Sequence, residues 1–485
     1  MAAGAARVRP PADHCDRIVT TRGRPATRRT SAGHRDRGPE GARQERGRVP
    51  NRPDGPRRPW GKRVAPIGGV REPARMDQGT GRTAVVHLTH DGDHLGQLGP
   101  FELADPWWSS VGELTARASA EAGVPVAVVR LAGVTGGEGG RGGHTVYHAE
   151  ALERPVDRAP SPAGPEVAAL LGAAERRAGW ATPAGLRAAL DWAERASAAA
   201  GRPVTGRVEQ VRTWNLSGVF RLPTAAGTAW LKVINPAFNA AEAEAIALFG
   251  AAAPELVPTV LAADPAHGRV LLDDVPGEDC WGPSAEEVAL AVPGLVAAQA
   301  ALAADGRAAS AGLPDRTPGA VAAAVPGLLD RLAATAELTG EELAAARALA
   351  ARLPELVGEL AACRLPETVV HGDFHPGNWR SDGSALVVID FADTCFGHPV
   401  ADGLRPRGFL DGERWAQVAE EWARAWRERV PGCAPERALE LAGPLVHFGY
   451  ALRYQEFLDH IEDSERPYHE GDPADEVRSA LAAAG

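Results

Sequence analysis

The chain has 485 residues, of which 44% are hydrophobic, so it is long enough for two or three domains with cores of their own. Its net charge is −11, and the part after residue 75 holds 33 basic and 56 acidic residues, which argues against nucleic-acid binding by the folded part. No apolar run is both long enough and sufficiently free of charge to cross a bilayer, so we expect no membrane partner. The cysteines are widely spaced and form no Cys-x-x-Cys pair, a pattern typical of a reducing cytoplasm: Cys15, Cys280, Cys363, Cys395 and Cys433.

Residues 1–75 differ in composition from the rest of the chain. They contain 10 Pro, 10 Gly and no Leu, with 19 Lys or Arg against 7 Asp or Glu. Such a segment buries too little apolar surface to offset its ordering entropy, so we expect a disordered leader. Met76 stands where the composition becomes ordinary, which favours translation from Met76. A basic tail for anionic partners is one alternative, and a targeting peptide is another, although the apolar core of such a peptide is missing.

Residues 76–160 are expected to form a small α/β module, for which the sequence suggests no function. Apolar spacing predicts a helix at 111–122 and strands at 83–89, 124–131 and 144–149. The segment 133–143 contains seven glycines and is followed by a strand. Because a phosphate-binding loop needs a helix after it, a hairpin loop is the better interpretation. Residues 161–202 are predicted to be a linker of two helices.

Residues 203–278 are predicted to be rich in β-structure, with strands at 207–212, 219–222, 228–234 and 269–274 and a helix at 240–250. Ser217 and Gly218 occupy the turn between the first two strands, where small residues let backbone N–H groups approach a phosphate. The turn lacks a Gly-x-Gly-x-x-Gly signature, so this signal is weak on its own.

Lys232 stands out from the composition of the chain. Of the 52 basic residues only Lys62 and Lys232 are lysines, and Lys232 lies in the third predicted strand. A compact ammonium fits where the planar fork of arginine does not, so we infer a specific role for Lys232. An incidental surface lysine is the alternative.

Residues 279–485 are predicted to be mostly helical, with helical spacing of apolar residues at 286–304, 319–335, 340–353, 354–363, 413–429, 435–461 and 472–484. Two short apolar runs, 369–370 and 387–389, interrupt the pattern and are expected to be neighbouring buried strands. Polar residues follow both runs. Asp373 and Asn378 come from the first loop, and Asp390 comes from the second.

This set of side chains suits phosphoryl transfer. The reaction needs a carboxylate that orients the attacking hydroxyl and accepts its proton, and oxygen ligands for Mg²⁺, which an Asn and an Asp provide. Protein kinases use a catalytic-loop Asp, an Asn five residues later and a downstream Asp, and the same spacing separates Asp373 from Asn378.

Other interpretations of these residues remain. Asp373 alone could cap its loop, and Asn378 alone could be a turn residue. A zinc site built from His371, Asp373 and His375 is a third possibility, which the Pro-Gly-Asn turn and the second acidic strand disfavour. His371 is predicted to hydrogen-bond the loop as a structural residue.

The segments His-Gly-Asp (371–373), His-Pro-Gly-Asn (375–378), Ile-Asp-Phe (389–391) and Gly-His-Pro (397–399), with Asp402, resemble the aminoglycoside phosphotransferase and choline kinase-like family. The resemblance implies a two-lobed, protein-kinase-like α+β fold. Its small β-rich lobe would be residues 203–278, and its helical lobe with the catalytic loop would be residues 279–485.

The resemblance also implies roles for the residues above. Asp373 would act as the base, Asn378 and Asp390 would hold Mg²⁺, and Lys232 would contact the phosphates of ATP or GTP. A glutamate of the following helix would hold Lys232, and the family's spacing favours Glu242 over Glu244. The strand that ends at Asp274 would lead into the hinge that binds the nucleobase.

The acceptor is expected to be a hydroxyl of a small molecule, such as an aminoglycoside, choline or another metabolite. Tyr450, Arg453 and Tyr454 are candidate pocket residues at helical spacing. The acidic C-terminal end suits either a solvated helix face or, less readily, a wall for a cationic acceptor. A nucleotide-binding pseudokinase or scaffold that acts through the N-terminal module is the alternative function, which an intact Lys, Asp, Asn and Asp set disfavours.

Overall fold

The computed structural model describes residues 81–214, 216–236, 242–306 and 312–485. The predicted leader at 1–75 and Met76 lie outside these described residues. The described residues form an N-terminal module, a β-rich small lobe and a helical lobe, so the α+β, two-lobed organisation predicted from the sequence is confirmed.

The N-terminal module is a four-stranded sheet with one helix packed on it. Its elements are β1 (Arg82–His90), β2 (Asp93–Leu103), α1 (Gly112–Ala122), β3 (Val126–Thr135) and β4 (His144–Ala151). The strand order is β2-β1-β4-β3, with β1 and β4 parallel and the other neighbours antiparallel. The glycine-rich segment joins the antiparallel strands β3 and β4, so it is a hairpin loop, as expected. The sequence pattern did not predict β2, because its glycines obscure the alternation of apolar residues.

The linker contains α2 (Pro165–Leu171) and α3 (Pro183–Ala199). Thr182 caps α3, since its hydroxyl accepts a hydrogen bond from the Gly185 N–H at 3.0 Å. The apolar face of α3 is buried against the small-lobe sheet, where Leu186 and Ala189 share a core with Leu231. The linker is therefore a structural layer of the small lobe.

The small lobe is a five-stranded antiparallel sheet with one α-helix between its third and fourth strands in chain order. Its elements are β5 (Glu209–Thr213), β6 (Ser217–Thr224), β7 (Gly227–Ile234), α4 (Glu242–Ala252), β8 (Val260–Asp264) and β9 (Arg269–Asp273). The strand order β5-β6-β7-β9-β8 places β7, which carries Lys232, in the centre of the sheet. The edge strand β8 was not predicted; three of its five residues are Ala or Asp, which are depleted in strands.

The helical lobe contains the elements α5 (Ala285–Asp305), α6 (Pro318–Thr335), α7 (Gly340–Ala362), α8 (Val400–Leu404), α9 (Gly412–Arg429), α10 (Pro435–Leu441), α11 (Gly443–His460) and α12 (Asp472–Ala484). Two predictions about helix boundaries were wrong. The predicted helices at 340–353 and 354–363 form the single helix α7, with Pro354 inside it. The predicted helix at 435–461 is divided before Gly443, where Pro444 occupies the first turn of α11.

The two strands that precede the polar loops are not neighbours in one sheet, which corrects the prediction. The short strands of this part of the chain are β10 (Glu278–Asp279), β11 (Asp315–Arg316), β12 (Thr368–Val370), β13 (Trp379–Ser381), β14 (Leu386–Val388) and β15 (Cys395–Gly397). The polar loops follow β12 and β14. They form two sheets, ordered β10-β13-β14 and β11-β15-β12. The apolar pattern predicts the strands β12 and β14 but not their pairing, because β13 and β15 are only three residues long.

Helix α5 is long and apolar enough, by length and composition, to cross a membrane, so the expectation that no such segment exists was wrong for the described residues. Its buried residues Val292, Leu295 and Val296 belong to the core of the helical lobe. Core helices can share this length and composition, and α5 also supports the polar loop that follows β12.

The N-terminal module is joined to both lobes through β3. The Gln210 side chain of the small lobe accepts from the Val128 N–H at 2.7 Å and donates to the Val128 carbonyl at 2.8 Å. On the helical-lobe side, the Glu465 carboxylate accepts from the Leu131 N–H, and the Ser464 hydroxyl donates to the Leu131 carbonyl, both at 3.0 Å. Residues of one strand therefore contact both lobes.

Candidate active site

The backbone of the loop after β12 is held by one buried carboxylate. Asp402, on α8, accepts hydrogen bonds from the His371 N–H at 2.8 Å and the Gly372 N–H at 2.9 Å. Gln299 of α5 donates a third at 2.8 Å. Burial raises the pKa of Asp402 to about 7, although the N–H donors oppose this shift. These contacts fix the direction in which the next residue, Asp373, leaves the strand.

His371 forms hydrogen bonds through both ring nitrogens, one within its own loop and one to the residue before Asp390, as expected of a structural residue. Nε2 donates to the Ile389 carbonyl at 3.1 Å, and Nδ1 accepts from the Asp373 N–H at 3.2 Å. Burial lowers the pKa of His371, which favours this neutral ring. The zinc interpretation loses support, because a metal ligand needs a nitrogen lone pair. In the described part of the chain, the one group of three residues with converging ligand atoms lies elsewhere, in the N-terminal module: His90, Asp91 and Glu150.

Gly372→Ala is expected to lower stability more than Gly383→Ala. Gly372 has a φ of +87°, and a Cβ there would lie 2.2 Å from the Asp393 carbonyl oxygen. Gly383 is a matched control, since its φ is +86° and no atom lies within 4 Å of its added Cβ. The left-handed backbone costs about 1–2 kcal/mol in each variant, and only Gly372→Ala adds a clash. Thermal unfolding of both variants tests this, and equal losses in Tm would contradict it.

Asp373 lies at the centre of a group of polar contacts. Its Oδ2 accepts from Asn378 Nδ2 at 3.1 Å and lies 3.4 Å from His375 Nε2. Its Oδ1 accepts a hydrogen bond from Arg405 Nε at 2.7 Å and forms an ion pair with Arg405 Nη2 at 2.6 Å. Burial by itself would raise the pKa of Asp373, but the Arg405 guanidinium and His375 hold it well below the ordinary value.

Arg405 was not predicted as a site residue. It is 4% exposed, and its guanidinium also lies 4.8 Å from the centre of the Tyr450 ring. Asp373 and Tyr450 raise its pKa further above the ordinary arginine value, against the effect of burial. Its position three residues after Asp402 was the available signal, because residues at this spacing lie on one side of a helical turn.

The predicted nucleotide lysine meets the second acidic loop. Lys232 Nζ lies 2.9 Å from Glu242 Oε2 and 2.5 Å from Asp390 Oδ1. Glu242 also accepts from the Phe391 N–H at 3.2 Å, so it joins α4 to this loop. Glu244 is exposed. Burial opposes the charge on Lys232, but Asp390 and Glu242 raise its pKa above the ordinary value, so the side chain is an ammonium ion.

Asn378 and Asp390 are brought close together by the β13–β14 pair. Asn378 precedes β13, Asp390 follows β14, and the Ile389 N–H donates to the Asn378 carbonyl at 2.9 Å. Asn378 donates its amide to Asp373, which leaves the amide oxygen for a cation, and the Asp390 side chain is 46% exposed. These oxygen donors fit Mg²⁺. Asp390 has a φ of 65°, an uncommon value for a residue other than glycine and one often found at functional sites.

The remaining residues predicted to bind the nucleotide differ in their position relative to the cleft that contains Lys232. The Ser217 hydroxyl accepts from the Trp214 indole at 3.0 Å and lines the same cleft as Lys232. Gly218 packs elsewhere, since an added Cβ would lie 3.2 Å from the Trp180 ring and 3.1 Å from Val233. The exposed Asp274 accepts from the Trp230 indole at 2.7 Å and is not part of the cleft lining.

The cleft between the small lobe and α11 contains about 1380 Å³ of empty space, part of it open to solvent. Asp373 and Asp390 line it, as do the three predicted acceptor residues Tyr450, Arg453 and Tyr454. At one end Trp214 contacts the rings of Tyr468 and His469, with ring centres 6.0 and 5.7 Å away. None of the acidic residues near the C-terminus lines the cleft: Asp459, Glu462, Asp463, Glu465, Glu470, Asp472, Asp475 and Glu476.

Comparisons with solved structures find similar chains of low identity. A chain described as a fructosamine-3-kinase, from Thermobifida fusca, is 18% identical, and the match covers 60% of this chain and 98% of that one with a TM-score of 0.43. A macrolide 2'-phosphotransferase from Brachybacterium faecium is 19% identical over 59% of this chain and 97% of that one, with a TM-score of 0.41. A choline kinase from Streptococcus pneumoniae is 13% identical over 60% and 98%, with a TM-score of 0.42.

A search of curated proteins gives no match. Residues 207–439 match the family model described as the phosphotransferase enzyme family. The matched segment contains the central strand with Lys232, the loop with Asp373 and Asn378, and Asp390. The resemblance predicted from the sequence motifs is thereby confirmed, and residues 207–439 of the chain belong to the phosphotransferase enzyme family.

Proposed function

We propose that the protein is a Mg²⁺-dependent small-molecule kinase that transfers the γ-phosphate of ATP or GTP to a hydroxyl group. The observation that carries the proposal is the contact between the two lobes at the cleft. Lys232 of the small lobe lies 2.5 Å from Asp390, which adjoins Asn378 and the Asp373 loop. A cation for phosphates, oxygen ligands for a metal and a carboxylate for the acceptor therefore meet in one place.

In the proposed reaction the acceptor oxygen attacks the γ-phosphorus, and the bond from that phosphorus to the oxygen of the leaving diphosphate breaks. Asp373 orients the hydroxyl and takes its proton. Lys232 stays cationic and neutralises phosphate charge, while Glu242 fixes its position. Asn378 and Asp390 would hold Mg²⁺, which supplies further neutralisation of the phosphates when bound.

Arg405 makes Asp373 a weak base, and phosphoryl transfer tolerates this. The transferred group passes through a loose transition state in most analyses, so catalysis depends mainly on positioning and electrostatic stabilisation. The Arg405 guanidinium holds the Asp373 carboxylate in a fixed direction by a hydrogen bond from Nε and by the ion pair with Nη2. We infer that Arg405 is a positioning residue for the base.

Arg405→Met is expected to move the acid limb of the pH profile of kcat/KM to higher pH. Without the guanidinium, burial raises the pKa of Asp373. In the wild type, the pKa of Asp373 is lower in the folded chain than in the unfolded chain, where it is about 3.9. This difference stabilises the fold at pH values above about 3.9, and the contribution is lost as the pH falls through the folded pKa. The variant should therefore also lose stability near neutral pH. Arg405→Lys keeps a charge and should shift the limb less. An unchanged acid limb in Arg405→Met would contradict this role.

Nucleotide binding and phosphate transfer test the proposed function directly. Calorimetry with ATP and GTP, with and without Mg²⁺, should show metal-dependent binding, and ADP or GDP release should depend on an added acceptor. Binding without transfer to any acceptor would favour the pseudokinase or scaffold alternative. We propose that the enzyme acts in the cytoplasm. In line with this, the four cysteines in the described part of the chain are unpaired: Cys280, Cys363, Cys395 and Cys433.

A further inference from the structure

The acceptor side of the cleft carries three arginines, Arg316, Arg405 and Arg453. The carboxylates on the same surface are Asp373 and Asp393, since Asp390 faces Lys232. A cationic acceptor, such as an amino sugar or a quaternary amine, would need unpaired carboxylates or open aromatic faces here. The contacts of these residues decide whether the surface offers either.

Both acceptor-side carboxylates already have guanidinium partners. Asp393 Oδ1 accepts from Arg453 Nε at 2.9 Å, and Asp373 Oδ1 accepts from Arg405. A cation would have to compete with these pairs, and breaking a partly buried pair leaves a guanidinium without its counter-ion. Neither carboxylate is therefore a ready binding partner for a positively charged acceptor.

Two of the aromatic rings are also engaged by cations. The Arg405 guanidinium carbon lies 4.8 Å from the centre of the Tyr450 ring, and the Arg453 guanidinium carbon lies 4.5 Å from the centre of the Phe457 ring. These distances are within the range of a cation–π interaction. An ammonium group that approached either ring would meet a fixed positive charge close by.

The guanidinium groups of Arg316 and Arg453 offer positive charge to an anionic group. Both donate to one oxygen of Glu456, with Arg453 Nη1 at 2.8 Å. Both arginines line the cleft, but Glu456 does not. Within the described residues, the one hydrogen bond of the Arg316 guanidinium is that of Nη2 to Glu456, so its other N–H groups can meet a ligand.

We propose that the acceptor is a hydroxylated compound with an anionic group, a carboxylate or a phosphate, which Arg316 binds beside Arg453. The proposal rests on the proposed kinase function and adds the chemical class of its acceptor. Guanidinium groups bind both anions by paired hydrogen bonds. The anionic group would contact the Arg316–Arg453 side of the cleft while the acceptor hydroxyl meets Asp373.

A matched set of sugars tests the proposal on the full-length protein loaded with Mg²⁺ and ADP. Glucose, gluconate, glucose 6-phosphate and glucosamine supply a neutral, a carboxylate, a phosphate and a cationic member. Calorimetry should show the carboxylate or the phosphate binding at least about 10-fold more tightly than glucose, a factor that corresponds to about 1.4 kcal/mol. Glucosamine should bind most weakly. The two anionic arms distinguish a sugar acid from a sugar phosphate.

Arg316→Met should weaken binding of the preferred anionic sugar at least about 10-fold and leave binding of glucose unchanged. Arg331→Met is the control, because Arg331 pairs with Asp459 away from the cleft lining. Tighter binding of glucosamine, no binding of either anionic sugar, or an equal effect of both variants would overturn the proposal. If Mg²⁺ and nucleotide themselves fail to bind, the proposed function fails instead, so the two failures are distinguishable.

Discussion

Asp373→Asn is expected to lower kcat by about 10²–10⁴-fold, the range in which a positioned acid or base contributes to a reaction. The amide has nearly the shape of the carboxylate and its oxygen can still accept from Arg405, but it is not a base. Hydrolysis of the nucleotide by water and transfer to the acceptor hydroxyl should fall together, because Asp373 would serve as the base in both reactions. Nucleotide binding should persist, since Asp373 is not among the residues that contact Lys232.

The measurement is steady-state release of ADP or GDP, with calorimetry of nucleotide binding as the internal check. The variant also leaves Arg405 without a full counter-ion, so its Tm should fall. An exposed helix residue, Asp330, gives the matched control Asp330→Asn, whose activity and Tm should stay near those of the wild type. Turnover of Asp373→Asn within about a factor of ten of the wild type would remove Asp373 from the role of base, since base catalysis contributes at least about 10²-fold.

Asp390→Ala is expected to abolish Mg²⁺-dependent nucleotide binding. The substitution removes one of the two proposed metal ligands and also the carboxylate that lies 2.5 Å from Lys232 Nζ. Without Asp390 the ammonium keeps Glu242 as its partner, so the small lobe should remain folded. Calorimetry with ATP and GTP, repeated after removal of the metal by chelation, measures the effect.

The expected pattern for Asp390→Ala is specific. The wild type should bind nucleotide more tightly with Mg²⁺ than without it, and the variant should show one weak affinity in both conditions. Asp330→Ala serves as the control for the loss of a carboxylate at an exposed site. Binding by Asp390→Ala that still strengthens when Mg²⁺ is added would show that the metal is held by other residues.

The parts of the site that could be predicted are those whose residues lie close together in the sequence or stand out from its composition. The spacing of Asp373, Asn378 and Asp390 is local, and a short strand and turn are enough to bring them together. Lys232 was found because lysine is rare in this chain, and Glu242 because the spacing of the family that the motifs resemble favours it over Glu244. Their positions in the structure agree with these predictions, while their chemical roles stay predictions until the variants are measured.

The parts that could not be predicted depend on contacts between distant segments. Arg405 is one arginine among many. Its position three residues after Asp402 places it near that residue, but this spacing does not show that its side chain reaches Asp373. The pairing of the short strands depends on which segments lie beside them in space. The acidic residues near the C-terminus were predicted to be a solvated helix face or, less readily, a wall for a cationic acceptor. None of them lines the cleft, and the side chains that do so on α11 include Arg453.

The attachment of β3 to both lobes has a consequence for how substrates enter and leave. Val128 is hydrogen-bonded to the small lobe and Leu131 to the segment beside the cleft, so the two attachments are only three residues apart on one strand. A rotation of one lobe away from the other would have to break the hydrogen bonds at Val128 or at Leu131, or move β3 together with that lobe. Exchange of nucleotide and product is therefore expected to proceed through small local shifts, because the N-terminal module limits the relative movement of the two lobes.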